Sequence, residues 1–244
     1  MNMIRALYSS ASAMAAQQQN LDIISNNIAN INTVAYKKTR PAFQDALYSA
    51  IDARRVREPV NLQMGNGVKV AATQRNFSRG NLQETGRPLD FAIDGEGFFV
   101  LLRPDGTLCY TRDGSFQISA EQVGGVVVSR LVTPRGEYVL DVNGQPMEVY
   151  NGQEVPLENF NIAVFANPEG LEAIGHNRFV ATEASGQADY GYRVTIRQGF
   201  LELSNVDLAE EMTQLILAQR AYQLSSRVLQ SADDMERLAN NLRE

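Results

Sequence analysis

The chain has 244 residues, 44% of them hydrophobic and 20% charged, with a net charge of -6. That composition belongs to one or two folded domains rather than to a disordered chain, and the acidic balance excludes a general nucleic-acid binder. A single cysteine, Cys109, and a single histidine, His176, exclude an intrachain disulfide, a thiolate metal cage and a zinc site.

Residues 3–31 contain neither proline nor glycine. Ile4, Leu7, Ala11, Met14, Gln18, Leu21, Ser25 and Ile28 alternate spacings of three and four, a heptad seam that predicts a helix packed lengthwise on another helix. Its many alanines and serines suit close contact but carry little apolar area, so the isolated helix is expected to be weak. It is not a secretory signal peptide. Gln17, Gln18, Gln19 and Asn20 stand where an apolar core is needed, and no apolar run elsewhere approaches membrane-spanning length. Read alone, this points to the cytoplasm, or to export by a route that reads no such signal. Asn26, Asn27, Asn30 and Asn32 crowd the end of the helix, where asparagine favours caps and turns.

From Val34 to Met64 the chain reads as a connecting segment, partly extended, with a short helical face at Phe43, Leu47, Tyr48 and Ile51. From Gly65 the character changes. Short apolar runs such as FFVLL (98–102), VVVSRLV (126–132), NIAVF (161–165) and YRVTIRQGFLEL (192–203) alternate with turn signals of the DG and NG type. This predicts a mostly antiparallel all-β domain.

The last forty residues again lack proline and glycine. Leu217, Ala221, Leu224, Val228, Ser231, Met235, Leu238 and Leu242 form a second heptad seam, flanked by a stripe of Met212, Leu215, Tyr222, Leu229, Ala232 and Ala239. Ser204 with Asp207 reads as a capping box, and Glu210 and Glu211 suit the positive end of the helix dipole. From Asp207 to Leu242 the helix would run about 54 Å at roughly 1.5 Å per residue. The expected fold class is α+β: two terminal helices paired as a coiled coil around an inserted, mostly antiparallel β-domain. The expected divisions are 1–33 and 204–244 for the helical core, 34–72 for a linking region and 73–203 for the β-domain.

No catalytic constellation stands out. Asp90, Asp94 and Glu96 sit in LDFAIDGEGFF, where DG and EG read as tight turns rather than as an acid–base pair. GEG lacks the lysine and helix of a phosphate loop, and His176 has no triad partners. No cofactor or metal site is expected.

Three stretches resemble a known family. LDIISNNIANINTVAYKK (21–38) is similar to the N-terminal motif of flagellar rod and hook proteins, with the match on Asn26, Asn27, Ala29, Asn30, Asn32 and Thr33. The family usually has glycine where this chain has Ala35, and alanine lacks glycine's freedom at positive φ. GNLQETGRPLDFAIDGEGFFVL (80–101) with YTRDGSF (110–116) is the second match. The third, 199–235, includes Ser204, Asn205, Val206, Gln219, Arg220, Ala221 and Tyr222. Together they identify the chain as similar to the flagellar basal-body rod proteins across most of its length. FANPEG and GLEAIGHNRF (165–179) look most like the distal rod type, although the chain is short for that type after Ser119. The proximal rod type is the alternative within the family.

The resemblance implies a structural subunit, not an enzyme. Such proteins leave the cell through the flagellar type III export apparatus and polymerise helically into the hollow drive shaft of the basal body, outside the cytoplasmic membrane. The implied partners are copies of itself, other rod proteins, the hook protein and the surrounding bushing rings, with no nucleic acid and no membrane insertion. The implied assembly seam is Ile4, Leu7, Met14, Leu21, Ile28, Leu217, Leu224, Val228, Met235, Leu238 and Leu242. Two readings from other classes compete. An adaptor with a helical hairpin and a β-domain leaves the asparagine-rich motif unexplained, and a small β-rich hydrolase lacks clustered chemistry.

Overall fold

The computed structural model describes residues 2–50, 63–123, 126–149, 155–191 and 194–241. The chain forms two compact units. The first gathers Met1–Ala29, Thr39–Arg75 and Asp207–Glu244, and the second Asn30–Lys38 and Asn76–Val206. Two helices and an antiparallel β-rich part make the α+β class.

In the first unit, helix α1 (Asn2–Ala29) packs against helix α2 (Leu208–Asn241). Between them in sequence, β1 (Thr39–Asp45) and β2 (Tyr48–Ala50) pair antiparallel with β4 (Val68–Arg75) and β3 (Gln63–Gly65) respectively. The short helical face expected at Phe43, Leu47 and Tyr48 is therefore corrected to strand and turn, and Ile51 lies outside the described residues. Pro41 opposes a helix interior here, and the partner strand 68–75 supplies the backbone hydrogen bonds that a helix would have made locally. Both β1 and β4 also pack on α1. A Cβ at Gly67 (φ 112°) would strike the Ser12 hydroxyl of α1, which accepts a hydrogen bond from the Val68 amide at 3.4 Å.

On α2 the stripe turned inward lies one residue away from the seam read in the sequence, whereas on α1 the seam residues Leu7, Met14, Leu21 and Ile28 are themselves half-buried. On α1 the buried and half-buried residues include Ser10, Ala13, Gln17, Asn20, Ile24 and Asn27. On α2 they include Glu211, Leu215, Ala218, Tyr222, Ser225, Leu229, Ala232 and Glu236, with Ala221, Ser226 and Asp233 half-buried beside them. One residue turns a helix face by about 100°. Leu215, Tyr222, Leu229 and Ala232, from the flanking stripe, thus belong to the inner face.

The start of α2 also differs from the expected capping box. Asp207 is itself the cap, its carboxylate accepting from the amides of Ala209 (2.8 Å) and Glu210 (3.2 Å). Ser204 instead accepts from the Val206 amide at 3.3 Å, outside the helix. A carboxylate within reach of two free N–H groups at the positive helix end outcompetes a hydroxyl three residues upstream.

The second unit holds β5 (Leu82–Glu84), β6 (Phe91–Asp94), β7 (Phe98–Leu102), β8 (Leu108–Thr111), β9 (Gln117–Val123), β10 (Val126–Val132), β11 (Tyr138–Val139) and β12 (Ile162–Val164). After these come β13 (Glu172–Gly175), β14 (Arg178–Val180), β15 (Asp189–Tyr190), β16 (Thr195–Gln198) and β17 (Phe200–Glu202). The main sheet runs β13-β14-β8-β7-β11-β10-β9, with β12 bridging β7 and β15. Every described strand pair is antiparallel. The run read as one strand at 192–203 breaks at Gly199 (φ 77°), so that β16 pairs with β6 and β17 with β5.

β7 explains why FFVLL is apolar at every position. Its side chains alternate between faces, and both faces are covered. Phe99 and Leu101 enter one cluster with Phe91, Phe116 and Phe160, while Phe98 and Val100 enter another with Tyr110, Phe165 and Phe179. Edge-to-face contacts such as Phe99–Phe116 (5.2 Å) and Tyr110–Phe165 (4.8 Å) tie each cluster together.

Candidate functional site

The residues of the three motifs fall into two groups, those buried at junctions and those left on the surface. Asn27 is the first junction. Its side chain copies one rung of a β-ladder: Oδ1 accepts from the Thr39 amide at 3.0 Å and Nδ2 donates to the Thr39 carbonyl at 2.9 Å. Nδ2 also donates to Glu211 Oε2 at 3.1 Å. One buried asparagine thereby ties the end of α1 to the first residue of β1 and to the first turn of α2. Beside it, Arg40 pairs with Glu210 at 2.6 Å in an exposed contact. The acidic first turn of α2 therefore does more than offset the helix dipole, since both glutamates hold residues of the N-terminal half.

The second junction lies in the other unit and joins all three motif stretches. Lys37 Nζ donates to Glu202 Oε1 at 2.6 Å and to the Ser78 carbonyl at 2.8 Å. Glu202 Oε1 also accepts from the Gly80 amide at 2.8 Å, and Oε2 accepts from Arg112 Nη1 at 3.2 Å. Arg112 donates onward to the Gly95 carbonyl at 2.7 Å and lies over the Phe98 ring. All three charged side chains are buried. Burial pushes the Lys37 pKa below its ordinary value, and the Arg112 charge pushes it the same way, against the pull of Glu202. Gly80 is required by close approach, because a Cβ there would run into the Leu203 carbonyl.

Asn205 is the third junction. Its Oδ1 accepts from the Lys38 amide at 2.7 Å, and its Nδ2 donates to the Asn76 carbonyl at 2.8 Å and the Ser78 carbonyl at 3.1 Å. Val206 beside it is buried. Ala35 is buried at φ 55°, so the position that carries glycine in the family keeps its left-handed backbone here with an alanine. The Ala35 amide donates to the Glu202 carbonyl at 2.8 Å, and Asn177 Nδ2 reaches the Val34 carbonyl at 2.6 Å. Thr33 closes a local turn by donating its amide to the Asn30 carbonyl and its hydroxyl to Asn30 Oδ1, both at 3.1 Å.

The remaining motif residues Asn26, Asn32, Gln219 and Arg220 are exposed, and Tyr222 is half-buried on the inner stripe. Of the seam residues, Ile4 lies in α1, Leu7, Met14, Leu21 and Ile28 are half-buried there, and Leu242 lies outside the described residues. On α2, Leu217 is 55% exposed, Leu224 60%, Val228 52%, Met235 53% and Leu238 62%. Arg112 and Glu202 stand out in no local pattern of the sequence, and Glu211 does so only for its place at the helix dipole. The only signal at Arg112 and Glu202 is a charged residue inside an otherwise apolar or turn-forming motif.

None of this geometry assembles a reaction centre. Asp94 is neutralised by Arg79 and by Arg197 (2.7 Å), and Asp90 accepts from the Thr85 hydroxyl at 2.7 Å. Cys109 is buried, which pushes its thiol pKa up and away from reactivity.

Comparison with known proteins decides what such junctions belong to. Residues 7–37 match the family described as "Flagella basal body rod protein", 92–171 the "Flagellar hook protein FlgE/F/G D1 domain", and 197–242 the "Flagellar basal body rod FlgEFG protein C-terminal". The flagellar basal-body rod protein FlgG of Borreliella burgdorferi is 40% identical, over 99% of this chain and 99% of that protein. The chain belongs to the flagellar basal-body rod protein family. The FlgG proteins of Caulobacter vibrioides and Bacillus subtilis are 38% and 34% identical, with 98% and 99% of this chain covered and all of each relative.

This rod protein is a structural subunit of the flagellar basal body, of the distal-rod, FlgG-like type, and not an enzyme. The full-length matches to FlgG proteins do not favour the proximal-rod alternative. The three family matches also coincide with the three stretches that meet at Glu202: Lys37 lies in the first, Arg112 in the second and Glu202 in the third. Motifs far apart in the rod protein's sequence are thus partners in one buried network.

Proposed function

We propose that this subunit polymerises helically through heptad stripes on α1 and α2, which pair as a coiled coil within the chain and form the inner tube of a hollow, torque-transmitting shaft. The seam Ile4, Leu7, Met14, Leu21, Ile28, Leu217, Leu224, Val228, Met235, Leu238 and Leu242 supplies contacts to neighbouring copies. The observation that carries this reading is the α2 stripe from Leu217 to Leu238, whose large side chains are each more than half exposed. A contiguous apolar face of this kind marks an interaction surface, and covering one such side chain is worth roughly 1 kcal/mol or more. A torque-bearing shaft needs many such contacts along each subunit. Helices weak in isolation suit export through the type III channel in an unfolded form. Other rod proteins, the hook protein and the bushing rings complete the set of partners.

The test is Leu224→Asp. Because Leu224 is exposed in the subunit, the purified variant keeps its fold by circular dichroism. In cells lacking the native protein, it is exported but forms no rods, since covering an unpaired carboxylate at a dry seam costs several kcal/mol. Normal rods with Asp at 224 would remove α2 from the assembly surface.

A further inference from the structure

The uncovered stripe of α2 is bordered by charge. Arg220, Arg227 and Asp234 recur once per heptad along its exposed side. Arg237, also exposed, is held by Asp233 at 3.0 Å, whereas neither Arg220 nor Arg227 has an ion-pair partner among the described residues. α1 turns its own heptad face outward: Tyr8, Ala11, Ala15, Gln18, Asp22, Ser25 and Ala29 are all exposed. Among the described side chains, Asp22 is the one charge on that face, and it too lacks an ion-pair partner. Its other members are mostly small, so a row of Leu, Val and Met side chains can approach closely.

We propose that the exposed stripe of α2 docks on the outward face of α1 of a second copy, with Asp22 of one copy paired to the Arg220–Arg227 edge of the other. This rests on the assembly reading above and adds the partner helix and its register. Size and charge argue for that occupant. Large apolar side chains meet small ones, and the lone carboxylate meets two unpaired guanidinium groups. Asp234 repels Asp22 at the next heptad, which limits how far the helices can slide. The contact joins two different surfaces, so it is heterologous and propagates into an open helical array instead of closing as a dimer.

The experiment is a charge swap in the full-length protein, expressed in cells that lack the native copy. Asp22→Arg, Arg220→Asp, Arg227→Asp and the double variants D22R/R220D and D22R/R227D are scored for rods in isolated basal bodies. Melting of each purified variant checks that these exposed changes leave the fold intact. The expected result is loss of rods with D22R and their return in at least one double variant, which then fixes the register. Normal rods with D22R, or no rescue by either double variant, overturns the pairing. The assembly reading itself stands or falls separately, with Leu224→Asp.

Discussion

Lys37 and Glu202 lie 165 residues apart in sequence, and Lys37 Nζ donates to Glu202 Oε1 at 2.6 Å with both side chains fully buried. The pair lets a stretch that follows α1 and a strand that precedes α2 share one desolvated contact. Removing one partner of a buried pair leaves a charge without compensation, at a cost of about 3–5 kcal/mol. Glu202→Ala strands both Lys37 and Arg112 and is expected to fall in or above that range in urea denaturation. Lys37→Met leaves Glu202 its Arg112 and Gly80 partners and is expected to cost less. Equal stability of Glu202→Ala and the parent protein would remove the network from the account of the fold.

Asn27→Ala tests the junction in the helical unit. It removes the side-chain partner of the half-buried Thr39 amide and carbonyl and a buried hydrogen bond to Glu211, at a total cost of about 1–3 kcal/mol. Denaturation followed by far-ultraviolet circular dichroism is expected to show an earlier loss of helix than in the parent. Asn26→Ala, one residue away and exposed, is expected to shift the midpoint little.

Ala35→Gly tests the left-handed backbone. An alanine held in this region costs roughly 1–2 kcal/mol, against the 0.5–1 kcal/mol of chain entropy that glycine adds. The substitution is expected to hold or slightly raise the melting temperature although it removes a buried methyl. Ala35→Val, β-branched at the same φ, is expected to lower it.

Asp207→Ala is expected to cost about 1 kcal/mol, the usual loss of an N-cap. Ser204→Ala is expected to cost less, because its hydroxyl bonds the Val206 amide and not a helix amide. The reverse order in thermal melts would restore the capping box expected from the sequence.

Tyr110 sets an alkaline limit. Burial first, and its hydrogen bond with Tyr190 second, raise its pKa above the ordinary 10.0. Above pH 10 the unfolded chain releases a proton that the folded chain keeps. Stability from this group is therefore present below pH 10 and lost as pH rises through the folded pKa. Lys37, whose folded pKa is lowered, works in the opposite direction at high pH. Comparing the parent with Tyr110→Phe isolates the tyrosine: the parent is expected to lose stability more steeply above pH 10, and parallel curves would contradict this.

Local patterns carried much of this protein in its sequence. Heptad spacing announced both helices, and turn residues between apolar runs announced the β-domain. FFVLL announced a strand covered on both sides, because side chains of a strand alternate faces whatever surrounds it. Three motifs announced the family. These are short-range properties, set by backbone geometry and legible over a few residues.

Only the tertiary structure decided which face each helix turns inward. Leu217 and Ala218 are neighbours in sequence, yet one is exposed and the other buried, because a single residue turns the helix by about 100° and adjacent apolar stripes offer similar spacing. It also decided that Ala35 keeps a left-handed backbone, and that Lys37, Arg112 and Glu202 neutralise one another. Such contacts depend on where distant strands bring their side chains, and no local spacing encodes the meeting of residues 165 positions apart.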